Sequence, residues 1–298
     1  MTAQTPSLKQ RGAASSASKA GRRRRFPWGT LVAGIVALAF VVAAVAPSLL
    51  APGDPYALHL KDSLVSPNWD HPFGTDVQGR DLYTRVVHGA GLSLWIGVGA
   101  TVVSMVTAVI LGSLAALSER IPHVGRAVGA LVNRIIEIQF AFPTLLLALL
   151  IVAITGPSAT AQVFAVAIGT APGYARMIRA QILKAMNSGY VEAAVTLGHP
   201  FSRVLFRHVL PNALRPFVGV IAMCIGQSIV WASSLAFLGL GVAPPNPEWG
   251  ALLDAGRPYV VQAPWLTVIP GLVIVALAVT ATALGRKLQD VLEKEETR

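Results

Sequence analysis

Five stretches of this 298-residue chain carry no Asp, Glu, Lys or Arg: residues 26–53, 89–118, 138–175, 216–247 and 258–285. Each is longer than the roughly 20 apolar residues that carry a helix through a bilayer. A soluble domain keeps about a quarter of its residues charged. Here 13% are charged and 54% hydrophobic. These runs indicate an all-α, multi-pass membrane protein, because a helix satisfies its own backbone where no water is present. The third run is interrupted at Thr155-Gly156-Pro157-Ser158, with room on each side for one short span only. Six transmembrane helices are therefore expected, at 29–50, 92–117, 138–155, 160–177, 217–240 and 265–285.

The net charge of +10 would suit nucleic acid, but its distribution follows membrane topology. With the N-terminus cytoplasmic, 20 of the 24 Lys and Arg residues lie inside, and Lys61, Arg80, Arg85 and Arg257 lie outside. Acidic residues divide evenly, as they do where basic residues alone set orientation. The reading is a membrane protein with both termini in the cytoplasm and the lipid bilayer, not nucleic acid, as its environment. Residues 1–27, rich in Ser and Ala and ending near Arg22–Arg25, read as a disordered basic tail that holds the first span with its N-terminus inside. Residues 28–53 are the first span. Ala44-Val45-Ala46 resembles a leader-cleavage site, but the apolar run is too long for a leader and Pro47 follows the cut, so the span reads as uncleaved. Residues 54–88 form an extracytoplasmic segment, 89–285 a five-helix core, and 286–298 a cytoplasmic tail.

Within the outer segment, Thr75 and Gln78 have capping-box spacing, with Asp76 in the first turn. Leu82 with Val86 and Tyr83 with Val87 stand four apart, so an amphipathic helix along the outer interface is expected. It would serve as a collar or shape the mouth of a path. In the second span Ala100, Ser104, Ala108 and Gly112 make a small-residue stripe that admits another helix closely, from this chain or a second one.

The chain has no G-x-x-x-x-G-K-[ST] phosphate loop, H-E-x-x-H, C-x-x-C or G-x-S-x-G. Its histidines lack metal-ligand spacing. Cys224, in the fifth span, reads as a small packed residue. No catalytic residue, metal site or cofactor is expected here, so energy for any uphill work comes from a nucleotide site on another chain. The spans also lack the ionisable residues that relay protons or ions, which counts against a secondary carrier. Uncharged polar residues do occur. Gln227, Ser228, Ser233 and Ser234 are candidates for lining a translocation path, or for hydrogen bonds between helices.

The segment YVEAAVTLGHPFSRVLFRHVLPN, residues 190–212, is too charged to span and too well patterned to be slack. Glu192-Ala193-Ala194 favours helix. Gly198-His199-Pro200 stops one helix and starts another, and Pro211 ends the second. Arg203 and Arg207 share one face; Leu205 and Val209 form an apolar pair. Such a short helix suits a partner's groove or a lipid surface, and shape alone does not choose.

Glu192-Ala193-Ala194, Gly198 and Leu210-Pro211 resemble the EAA loop of permease subunits of bacterial ABC importers. HPFGTDVQGRD (71–81), FPTLLLALL (142–150), SLAFLGLGVAPPNPEWGALL (234–253) and LGRKLQDVLE (284–293) are similar to the dipeptide/oligopeptide branch, over residues 28–293. The chain departs from that branch at Ala232 and Arg286, where an acid often stands. The resemblance implies a type I importer-like permease. It implies a second homologous permease, two ATPase subunits carrying ATP and magnesium, and an extracytoplasmic binding protein. It places the ATPase-coupling element at about 178–212, with Glu192, Ala193, Ala194, Gly198, His199, Pro200, Arg203, Arg207, Leu210 and Pro211. Peptides are the implied cargo; nickel or another small solute is the alternative within the family.

Overall fold

The computed structural model describes residues 28–118 and 124–296. The basic tail with Arg22–Arg25, and Arg120 of the first cytoplasmic loop, lie outside the described residues.

Helix α1 (Trp28–Val45) is apolar all round, and Leu31, Ile35, Leu38 and Val41 stay exposed, as hydrocarbon surroundings require. It is followed by α2 (Leu82–Leu117), α3 (Val124–Ala141), α4 (Thr144–Thr155) and α5 (Ala159–Met186). The segment expected to face the cytoplasm holds α6 (Gly189–Thr196) and α7 (Phe201–Val204), which runs through a π turn, Leu205–Val209, into α8 (Leu210–Leu214). Then come α9 (Phe217–Leu235), α10 (Trp249–Gly256) and α11 (Trp265–Glu296). The described residues contain no strand, only an isolated bridge between Thr75 and Asp81. Four helices are long and apolar enough to cross a membrane, or five if the bent α3–α4 pair is one span. The expected 160–177 span falls inside α5, which is not one of them. α5 is packed among α2, α4 and α9, and it presents mostly Ala, Gly and Val to them.

Three local expectations change. The 138–155 run is not one helix: Pro143 cannot continue α3, and the chain turns by 94° into α4. Thr75 caps nothing. Its hydroxyl accepts from the Val65 N–H and donates to the Asp62 carbonyl. Asp76 takes the Gln78 and Arg80 N–H groups onto one carboxylate oxygen, a local turn that competes with helix. The helix begins instead at Leu82, where Asp81 accepts from the Thr84 N–H at 2.8 Å. The expected amphipathic helix is the outer end of a single 36-residue helix, and its apolar residues Leu82, Val86 and Val87 are buried in protein. Finally, Pro211 does not end the second cytoplasmic helix. The preceding π turn, with the Leu210 N–H bonded to the Leu205 carbonyl, takes up the misfit of the proline ring, and helix continues to Leu214.

The small-residue stripe packs within the chain. Ala100, Ser104, Ala108 and Gly112 are all buried, and α2 and α5 make the most extensive helix contact. The Ser104 and Thr170 hydroxyls meet at 2.9 Å. A Cβ on Gly112 would sit 2.7 Å from the Ala175 carbonyl oxygen. Gly112→Val should therefore lower stability by about 1–3 kcal/mol, read as a lower unfolding midpoint of the detergent-solubilised chain. Gly29→Val, where an added Cβ meets nothing within 4 Å, should leave the midpoint unchanged.

Candidate functional site

The segment from Gly189 to Leu214 has a fixed side and an open side. α6 ends in a Schellman-type cap: the Gly198 N–H donates to the Val195 carbonyl at 2.9 Å and the His199 N–H to the Ala194 carbonyl at 3.2 Å. That geometry needs the left-handed φ of +77° found at Gly198. Pro200 lies just before α7, at its cap. On the fixed side Val191, Ala194, Val204, Leu205, Val209 and Ala213 are buried. They share one apolar cluster with Ala115 of α2 and with Ile178, Ile182 and Met186 of α5. The segment is thus fixed by packing to the C-terminal ends of α2 and α5, the two best-packed helices.

On the open side Glu192, Ala193, Arg203, Arg207 and Pro211 are exposed, and Leu210 is half-buried. Among the described residues the Arg203 guanidinium meets one polar side chain, His199, at a long 3.5 Å. Glu192 has no side-chain hydrogen bond or ion pair among the described residues. Beside these charges stand exposed apolar side chains, with Leu197 at 76% and Phe206 at 69% exposure. Apolar groups on a charged surface mark a surface that something else covers.

The chain leading into α2 is locked in place. Asp76 accepts from Arg80 Nε at 2.7 Å and from an Arg85 guanidinium nitrogen at 2.6 Å. Arg85, 4% exposed, also donates to the Pro245 carbonyl at 3.3 Å. The Trp249 indole N–H donates to the Val86 carbonyl at 2.8 Å and the Trp265 indole N–H to the Thr75 carbonyl at 3.2 Å. The stretch 71–81 thereby ties α2, α11 and the loop before α10 together. Glu248 caps α10 by accepting from the Gly250 and Ala251 N–H groups at 2.9 and 2.8 Å. Its burial pushes the carboxyl above the usual range, against the opposing pull of those two donors.

The four path candidates do not converge. Gln227 faces a groove of about 540 Å³ at the α3–α4 break. Ser228 is buried and accepts from the Thr101 hydroxyl at 3.1 Å, between α9 and α2. Ser233 and Ser234 line a different, mostly apolar groove of about 670 Å³ between α9 and α11, and the Ser234 hydroxyl donates to the Val230 carbonyl at 2.8 Å. Sequence reading missed Gln139, Thr170 and Trp231 beside Gln227. The available signal was the pair of prolines, Pro143 and Pro172, inside otherwise helical apolar sequence.

Residues 108–294 match the family described as "Binding-protein-dependent transport system inner membrane component". The chain is 35% identical to the dipeptide transport system permease protein DppC of Alkalihalophilus pseudofirmus, over 88% of this chain and 84% of that one. It is 38% identical to the di/tripeptide transport system permease protein DppC of Pseudomonas aeruginosa, over 89% and 88%. It is 37% identical to the glutathione transport system permease protein GsiD of Pectobacterium atrosepticum, over 88% and 86%. The fold is similar to that of the MetNI methionine ABC transporter in an inward-facing conformation, with a TM-score of 0.57 at 18% identity, over 70% of this chain and 96% of that one. An amino acid ABC transporter crystallised with histidines matches with a TM-score of 0.52 at 21% identity, over 71% and 94%.

Glu248 supplies a pH prediction. Its folded-state pKa is raised, so the folded chain keeps a proton that the unfolded chain has released. Stability is therefore highest below the usual carboxylate range and falls as pH rises through the raised value. The unfolding midpoint should decline over that window in the wild type, and less steeply in Glu248→Gln. Equal slopes would mean the carboxyl is not perturbed.

Proposed function

The chain belongs to the binding-protein-dependent transport system inner membrane components, and we propose that it serves as one of two permease subunits of an ATP-driven peptide importer. It is a multi-pass protein of the bacterial inner membrane. Peptide cargo is supported by the relatives, whose names specify dipeptides, di- and tripeptides, and glutathione, itself a tripeptide. Nickel has no comparable support. The chain provides path and coupling, and hydrolysis takes place on two ATPase subunits that hold ATP and magnesium. A second homologous permease completes the path, and an extracytoplasmic binding protein delivers the cargo.

The observation that carries this reading is the two-sided cytoplasmic segment. Its open side, with Glu192, Arg203, Arg207 and Phe206, is the docking face for an ATPase subunit. A mixed-charge face with protruding rings fits a protein groove. Its fixed side passes displacement on. A tightly packed apolar contact does not deform continuously, so movement of α6 and α7 carries α2 and α5 with it, and through α8 it reaches α9. Gly198 sets the angle between the two short helices, and Pro200 stands at the start of the second.

Phe206→Glu and Glu192→Arg test the docking face, since neither residue supports the fold from inside. Each should weaken co-purification of the ATPase subunits and cut peptide uptake by the reconstituted complex at least about tenfold, the effect of losing about 1.4 kcal/mol at an interface. Membrane insertion should stay normal. Uptake that persists without ATP, or after deletion of residues 190–211, contradicts the proposal.

A further inference from the structure

We infer that the groove at the α3–α4 break is a transit site for the imported peptide, and that it engages peptide backbone amides and apolar side chains rather than charges. The inference rests on the importer reading above and adds where, and by what chemistry, the cargo meets this chain.

One wall of the groove is an interrupted helix, and the other is a continuous helix that carries a proline. Pro143 separates α3 from α4 and makes no side-chain cap. The last carbonyls of α3 and the first N–H groups of α4 therefore lack partners within their helices. Across the groove Pro172 sits inside α5, and with no N–H it leaves the Ile168 carbonyl without its helical donor. At membrane depth such backbone groups are tolerated only when buried in protein or facing a water-filled cavity. Pro143 and Pro172 both line this groove.

The side chains agree in kind. Gln139 has its amide oxygen shielded from solvent and without a partner, and the exposed Gln227 adds a second carboxamide. A carboxamide offers both donor and acceptor, the complement of a peptide bond. Phe142, Met177 and Trp231 supply apolar and aromatic surface. None of the lining residues is Asp, Glu, Lys, Arg or His, so the groove does not select among peptides by charge and does not hold their charged termini. A volume of about 540 Å³ lies within the roughly 300–1,000 Å³ of small-molecule sites. The α9–α11 groove is larger, but its lining is apolar apart from Ser233, Ser234 and Thr267, and it would leave peptide amides without partners.

Charge begins just beyond the groove. The Arg176 guanidinium stacks on the Phe140 ring, 4.1 Å from its centre. Phe140 lines the transit groove, while Arg176 lines a separate cavity with Asn133, Glu137 and Arg179. The contact marks the groove's boundary with that charged cavity.

The test uses the complete importer with its binding protein in vesicles. Gln227→Leu should lower peptide uptake about tenfold, while ATP hydrolysis stimulated by the loaded binding protein stays within about twofold. Leu272→Ala, in the α9–α11 groove, should change neither. A dipeptide carrying p-benzoylphenylalanine, illuminated during turnover, should form adducts within residues 139–144, 170–177 or 227–231. Adducts confined to 233–238 or 268–275 would overturn the inference. So would unchanged uptake in a Gln139→Leu, Gln227→Leu double variant, or a parallel loss of uptake and hydrolysis, which marks a coupling defect. If the wild-type complex imported no peptide at all, the importer reading itself would fail.

Discussion

The rest of this structure depends on the close approach of α2 and α5. Ser104, Ala108 and Gly112 let the two backbones touch, and no side chain larger than Gly fits at residue 112. In hydrocarbon there is no hydrophobic drive to pair helices, so contact of this kind is what holds them. The cytoplasmic segment packs against the lower ends of this pair. The outer lock of Asp76 and Arg85 closes over the upper end of α2. One wall of the transit groove is the face of α5 turned toward α3 and α4. A displacement of that segment thus has a rigid route to the transit groove.

The two ends of α2 use charge in opposite ways. Near its start, Asp76 and Arg85 are buried against each other with Arg80 beside them, and Glu248 places both carboxyl oxygens on a helix start. Breaking one partner of such a buried set leaves a bare charge, which costs about 3–5 kcal/mol, so the arrangement behaves as a clamp. Beyond its far end, Glu192, Arg203 and Arg207 are exposed to solvent. The lining of the transit groove is uncharged.

Much of this was legible in the sequence. Charge-free runs marked the apolar helices, and the spacing of Ala100, Ser104, Ala108 and Gly112 marked a tight helix contact. The Gly198 cap was readable because only glycine readily takes that φ. What escaped was set by contacts between distant parts of the chain. Thr75 has the pattern of a cap, but the Val65 N–H and the Asp62 carbonyl occupy its hydroxyl. Pro211 reads as a stop, yet a π turn absorbs it. Pro143 breaks a run that composition alone shows as continuous. The polar residues of the fifth span read as one group, whereas its helical twist sends Gln227, Ser228 and Ser233 toward three different surroundings.

The most direct test of the account is the number of ATP molecules hydrolysed per peptide imported when the fixed side of the cytoplasmic segment is loosened. Leu205→Ala with Val209→Ala trims two buried contacts and leaves the docking face intact. The account expects hydrolysis to continue while uptake collapses, raising the ratio at least about tenfold, since these two truncations together remove well over 1.4 kcal/mol of packing. An unchanged ratio would show that the force reaches the spans by another route.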